Sequence, residues 1–485
     1  MSLSIFFLVF SLQAKGNPMN EIKTYMPFTL PVDPVKILTI PDMNISNALG
    51  ATLIEWDREK QLSGALAEKW DVLAAKIYRL TVRKDVRWSN GDRLSADDIK
   101  TSLENALRTH PQDLRSLSNI LDHIDCPSSN EVDFHLKVAA KESGLLKKLT
   151  EPNYGIFKIN KHGLQDLSIS VGPFSLAPNS THDELILKRN PNWYRSESVS
   201  AIADRVTIRR SPSLMDAKTI LLNDSWINLV ETSSLIEEDL LKRYTQEGFQ
   251  IWRRPLDKVF IFRTGKRKTI AETRQILRYL REKTTAKDFV KGLSGYEVAT
   301  QLLPRGYQLH DESFSCPTGD GKLPTGRALD IVVSASSVPK VIQDNIRSVI
   351  KKITGVEPRI SSITLEQVGA ISAKGDYDLY VSTVGLADPD PEGFMSFYVE
   401  GVSPVIRSED SRFVNRLDVA RLEKNSENRL KAMRSILSDA VCEGYIFPVF
   451  HLSTIGIARP DLDLSHIPES DESVTLSSVR FRNKQ

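Results

Sequence analysis

The chain has 485 residues, 40% hydrophobic and 26% charged, with 64 Lys and Arg against 62 Asp and Glu for a net charge of +2. Such values belong to a globular protein that buries a large core, divided at about 150 residues per folding unit into roughly three. The cations are dispersed, which argues against a nucleic-acid stripe or a polybasic membrane patch.

In chain order, residues 3–12 (LSIFFLVFSL) are the most apolar run. They fall short of the roughly 20 residues of a spanning helix. With Ala14 as a small cleavage residue, residues 1–14 read as a secretory signal; a buried N-terminal strand is the alternative. Pro18, Pro27, Pro31, Pro34 and Pro41 predict irregular or edge structure over residues 15–45, and Ala48–Trp56 a short helix. Ile77–Val82 alternates as a strand, Ser89–Asp92 is a turn around Gly91, and Ser95 with Asp98 forms a capping-box-like start. The helix that follows places Ile99, Leu103, Ala106 and Leu107 on one face.

This block resembles a known family. Ala65-Leu66-Ala67-Glu68-Lys69-Trp70, Tyr78–Arg83, Val86–Asp92 and Leu94–Ile99 are similar, in order, to the signature of the family 5 extracellular solute-binding proteins (peptide/nickel type) of bacterial ABC importers. Val171-Gly172-Pro173-Phe174 and Leu187–Tyr194 continue the likeness. Further on come a strand at Val259–Phe262, a helix at Thr273–Lys283 and a strand at Leu329–Val333. Then follow helices at Pro339–Ile353 and Thr364–Ala373, with a strand from Gly355-Val356 between them. These lead to Gly375–Phe397, where a strand over Tyr377–Val384 runs out into a stiff acidic loop holding Asp388, Asp390 and Glu392 between Pro389 and Pro391. A helix at Asn428–Val441 and a returning strand at Tyr445–Leu452, with Pro448 suggesting an edge, complete the pattern.

The resemblance implies an α/β fold of two lobes, the Venus-flytrap fold of periplasmic binding proteins, with an extra subdomain in the first lobe. It places the lobe I core in residues 15–45, 166–255 and 450–485, the extra subdomain in 46–165 and lobe II in 256–449. Chain crossings are expected near Arg254–Val259 and His451–Ile457. It implies a peptide or peptide-like ligand, an ABC permease with its ATPase as partners, a periplasmic monomer, and no cofactor. Asp388 matches the family's ligand-pairing aspartate, with Asp390 and Phe394 as neighbouring ligand-binding candidates. Two departures bear on the ligand. The family's tryptophan is replaced within Val384-Gly385-Leu386, and the loop Ser334–Val338 lacks the arginine that holds a dipeptide carboxylate. Lys340 is a point charge at the start of its helix, so free dipeptides are disfavoured.

Catalytic patterns are missing from the sequence: no GxSxG, no HExxH and no GxxxxGK[ST]. The eight histidines are scattered, and a lone histidine is more often a surface or satisfied core residue than a ligand, so no metal is expected; a site assembled from distant residues is the alternative. His182-Asp183-Glu184 alternates faces on a strand and reads as solvated. Cys126, Cys316 and Cys442 are expected as three buried or free thiols, with a Cys316–Cys442 bridge as the alternative in an oxidising compartment. A ligand sensor without a transporter, a binder of a metal complex or sugar, and a hydrolase are the competing functions.

Overall fold

A computed structural model describes residues 19–28, 32–35, 40–57, 61–109, 117–195, 202–211, 221, 223–233, 235, 238–265, 270–291, 293, 295–317, 327–335, 337–386, 391–400, 405–406, 411–467 and 474–482. The expected signal lies outside these residues. The described chain opens with strand β1 (Glu21–Met26) and a helix, Ile40–Leu49. A hairpin of β2 (Ile54–Trp56) and β3 (Leu62–Gly64) leads into a separate antiparallel sheet. That sheet holds β4 (Ala67–Ala74), β5 (Ile77–Val82), β6 (Leu121–Ser128) and β7 (Glu131–Leu136) in the order β4-β5-β7-β6. The helix Ala96–Thr109 packs on it and buries Ile99, Leu103 and Ala106.

The chain then builds β8 (Phe174–Leu176), β9 (Glu184–Arg189), β10 (Arg205–Arg210), β11 (Leu229–Ser233) and the long β12 (Gln250–Thr264). Helix Ile270–Lys283 and β13 (Tyr296–Val298) precede three strands joined by helices: β14 (Asp330–Ser334), β15 (Arg359–Ile363) and β16 (Leu379–Gly385). The last long strand is β17 (Ile446–Ala458), all thirteen residues of which are buried. One 11-stranded sheet takes the order β15-β14-β16-β12-β17-β11-β1-β10-β9-β8, with β13 added on β17. It is two half-sheets sharing β12 and β17. The first half shares a continuous apolar core with the four-stranded sheet, and the second has cores of its own on its two sides. This is a two-lobed α/β architecture with an additional sheet in the first lobe.

Two local expectations need correction. β1 is an interior strand, parallel to β10 on one side and β11 on the other. The prolines of that region flank its ladder and do not interrupt it. The first helix occupies Ile40–Leu49, with Pro41 in the first turn where a missing N–H costs nothing; Ile54–Trp56 is a strand. Pro448, by contrast, does stand at a local edge: it pairs with Ile261 of β12, while β13 and β11 cover the other side of β17 only from Phe450 and from Thr454 onward.

The motif residues do structural work. The Ser95 hydroxyl accepts from the Asp98 N–H at 3.1 Å, while the Asp98 carboxylate accepts from the Ser95 N–H at 3.1 Å, closing a capping box. The same carboxylate takes the Trp88 indole N–H at 3.3 Å and the Lys158 ammonium at 2.7 Å. A Cβ on Gly172 would stand 2.7 Å from the backbone N and O of Gly50, so this crossing of two chain segments requires glycine.

Candidate functional site

Topology marks a candidate site. β14 is parallel to both β15 and β16 and stands between them. The chain therefore leaves β14 toward one neighbour and returns on the other side. In open α/β sheets the ligand crevice lies at such a switch point, outside the carboxyl ends of the strands. The carboxyl end of β16, Gly385, pairs with Lys258 of β12. In the first lobe β1, β10 and β11 are parallel, and the carboxyl end of β11, Ser233, pairs with Thr454 of β17. The carboxyl ends of the parallel strands of both lobes thus converge on the same stretch of β12 and β17.

That stretch is irregular. Arg254 pairs with Thr454 and Lys258 with Leu452, so three residues of β12 stand opposite the single residue Ser453. Leu256 adopts φ 47°, a left-handed conformation uncommon for a residue with a side chain. Side chains replace the lost ladder bonds. The Leu256 N–H donates to the Ser453 hydroxyl at 3.2 Å, and the Tyr307 hydroxyl donates to the Leu256 carbonyl at 3.4 Å. The buried carboxylate of Asp257 accepts the Thr454 N–H at 2.6 Å and also the Thr454 hydroxyl. Glu231 of β11 is buried nearby and accepts the Val474 N–H at 2.7 Å. Burial pushes its carboxyl above the usual range, against the opposing pull of Lys258 and that N–H.

The acidic loop leaves β16 at this point. The Leu386 N–H donates to the Asp257 carbonyl at 2.7 Å, fixing the strand's exit to the crossing. Asp388 and Asp390 lie outside the described residues, which resume at Pro391. Pro391 opens a helix, Pro391–Val399, instead of prolonging the loop, again a position that suits proline. Glu392 turns to Arg429 at 3.4 Å. Phe394 is 4% exposed and stacks on Tyr398 with ring centroids 4.2 Å apart, inside the lobe II core. The Tyr398 hydroxyl in turn donates to the Gly385 carbonyl at 3.2 Å. Phe394 therefore anchors the segment just behind the strand end.

The loop after β14 meets the same end of β16: the Thr383 N–H donates to the Ser337 hydroxyl at 3.2 Å. Lys340 pairs with Asp344 at 2.7 Å, four residues along its own helix. Sequence reasoning passed over Glu231, Asp257, Ser453 and Thr454. The run Arg253-Arg254-Pro255-Leu256-Asp257-Lys258 did carry a signal, since a polar, proline-containing interruption within an apolar strand marks a bulge.

Elsewhere, the expectation of three thiols is overturned: Cys316 and Cys442 form a disulfide closing 126 residues of chain. The loop carrying Cys316 folds onto the end of the helix Ser426–Cys442, a proximity invisible at that separation. Cys126 is the free cysteine, its thiol pushed up to about 11 by burial. A cavity of about 600 Å³ lies beside the disulfide, lined by Thr285, Lys287, Phe314, Cys316 and Phe447; none of its lining residues belongs to the crossing. His182 and Asp183 are exposed, as expected of a solvated stretch, but they lie in the bend before β9 and only Glu184 is on the strand.

Residues 61–242 match the family model described as bacterial extracellular solute-binding proteins, family 5 Middle. The periplasmic oligopeptide-binding protein OppA of Escherichia coli is 34% identical over 76 residues, 16% of this chain and 14% of that protein. The dipeptide-binding protein of Lactococcus lactis is 24% identical over 222 residues, 39% of this chain and 40% of that one. These alignments thus span well under half of either relative. In fold the likeness covers nearly everything: the crystal structure of a periplasmic oligopeptide-binding protein from Borrelia burgdorferi superposes with a TM-score of 0.77 at 14% identity, over 96% of this chain and 100% of that one. The two-lobed fold is that of periplasmic binding proteins. No helix among the described residues is long and apolar enough to cross a membrane.

Proposed function

We propose that this chain, whose residues 61–242 belong to the bacterial extracellular solute-binding proteins of family 5, captures a peptide or peptide-like solute between its lobes and delivers it to an ABC-type permease. The observation that carries the reading is the convergence of the parallel strands' carboxyl ends, from both lobes, on one irregular crossing. A ligand seated there touches both lobes only when they close, so its binding energy favours the closed state. Lobe II spans 256–449 in this reading, and the two crossings act as the hinge. The protein works as a periplasmic monomer without chemical turnover, and a separate ATPase supplies the energy for transport.

Asp388 and Asp390 stand on a four-residue stretch between Leu386, tied to the crossing, and the helix at Pro391. Their carboxylates would meet a cationic group of the ligand, Asp388 taking the peptide α-ammonium, while Phe394, packed in the lobe II core, would support the helix that follows. In a partly dry cleft such a charge-assisted contact is worth about 1.5–3 kcal/mol, or roughly tenfold to hundredfold in affinity. Without an arginine in Ser334–Val338, the ligand's carboxylate lacks a bidentate anchor. The preferred ligands are therefore peptides longer than two residues, held along their backbone.

The test is a thermal-shift and calorimetric panel of di- to pentapeptides on the full chain and on Asp388→Ala. The expected result is a saturable rise in melting temperature for the longer peptides, without consumption of peptide, and a loss of about tenfold or more in affinity in the variant. Turnover of any peptide overturns the capture mechanism, and unchanged affinity in Asp388→Ala removes that residue from the site.

A further inference from the structure

A second site stands on the exposed face of the four-stranded sheet, away from the cleft. His123 on β6 and His135 on β7 are directly opposed across the strands, their rings stacked at 4.0 Å and 10°. Asp125 lies two residues beyond His123 and so projects from the same face. One of its carboxylate oxygens is 3.4 Å from Nε2 of His123 and 3.3 Å from Nε2 of His135. The three ligand atoms all lie within 4.8 Å of one another. Behind His123, Asp122 holds Nδ1 at 2.9 Å, which directs Nε2 toward the common point.

The neighbouring charges leave Asp125 available. Asp133, directly opposite it, is taken up by a bidentate pair with Arg79 at 2.7 and 2.8 Å. That pair also neutralises the Arg79 guanidinium. Among the described residues, the only ion-pair partners of Asp125 are the two histidines. Two imidazole nitrogens and one carboxylate oxygen, facing water, form a donor set for a divalent ion of borderline softness. A carboxylate on the far nitrogen of a ligating histidine is the usual outer support of such a site.

We propose that His123, Asp125 and His135 bind a divalent transition-metal ion of the Zn²⁺ type, with water completing its coordination and Asp122 orienting His123. The two histidines are twelve residues apart in sequence and on separate strands, so no linear spacing reveals them. Their stacking depends on the bulge at Asp122, where the pairing steps from Leu121–Leu136 to His123–His135.

The experiment is calorimetric titration of the untagged full chain with ZnCl₂, and with MgCl₂ as a hard-ion control, together with visible absorption on adding Co²⁺. One Zn²⁺ bound per chain is expected, with no Mg²⁺ binding and with Co²⁺ bands characteristic of nitrogen ligation. His135→Ala should weaken Zn²⁺ binding by about tenfold or more, Asp122→Asn by about tenfold, and His182→Ala, on an exposed loop, should leave it unchanged. If circular dichroism shows His135→Ala to be misfolded, the near-isosteric Asp125→Asn decides in its place. Zn²⁺ binding that is absent, or equally strong in His135→Ala and Asp125→Asn, or lost in His182→Ala, overturns the proposal.

Discussion

The motif block around Trp88 and the strand crossing around Asp257 each remove a carboxylate from water, and they treat it in opposite ways. Asp98 accepts from Ser95, Trp88 and Lys158. Burial alone would raise its pKa, but Lys158 and the Ser95 donors outweigh burial and hold the carboxyl below its usual range. Glu231 accepts one backbone N–H, and burial wins, so its carboxyl is raised. The first arrangement satisfies both oxygens and ties the start of a helix to Trp88 and Lys158. The second leaves a charge poorly compensated beside a backbone held at φ 47°. A scaffold calls for the first. A hinge whose two states lie close in energy tolerates the second. Density of motif therefore marks rigidity here, while the proposed cleft is marked by irregularity.

The largest effect that sharpens this contrast should come from Trp88→Ala. The side chain is fully buried and its indole N–H is paired. Its removal should cost about 3–5 kcal/mol of unfolding free energy in urea, with peptide affinity unchanged at temperatures where the variant is folded. A loss of affinity in the folded variant would break the division between scaffold and cleft. Cys316→Ser should follow: opening a loop of 126 residues is expected to cost about 2–5 kcal/mol, read as a lower denaturant midpoint that the reductant-treated parent reproduces.

The pH dependences should have opposite signs. Glu231 has a folded pKa above its unfolded value, so its contribution to stability is complete below the unfolded pKa and fades as pH rises through the folded one. Glu231→Gln should remove that decline. Asp98 has a folded pKa below its unfolded value. Its contribution is complete above the unfolded pKa and fades as pH falls through the folded one. Asp98→Asn should therefore flatten the acid limb of the stability profile. Equal slopes in the two variants, measured by urea unfolding from acid to neutral pH, would abolish the comparison. The smallest effect on folding belongs to Asp388→Ala, expected within about 0.5 kcal/mol of the parent even as ligand affinity drops.

Much of the architecture was legible as periodicity. Ile276, Leu277 and Leu280 on one helix, and Ile342, Ile346 and Ile350 on another, are buried as their spacing requires. Thr364 and Gly375 cap their helix at both ends. Within Gly375–Phe397 the strand was legible, and Asp378 just before it proves to be a buried anchor, held by Arg327 at 2.7 and 2.9 Å. The prolines misled where their neighbours were read by composition. Pro27 follows an interior strand and Pro391 begins a helix, and only the tertiary pairing distinguishes these uses.

What the sequence determined by itself is local: which segments alternate and which coil, where helices start and stop, and the ordered motif that carries the family likeness. Those properties depend on residues a few positions apart, whose sterics and hydrogen bonds the chain carries wherever it goes. Tertiary structure alone decided that Asp257 meets Thr454, that Cys316 meets Cys442 and that His123 meets His135. Each of these contacts is set by strand order, register and the placing of a bulge. A shift of one residue in register turns a side chain to the opposite face, so such partners follow from the assembled sheet and not from spacing along the chain.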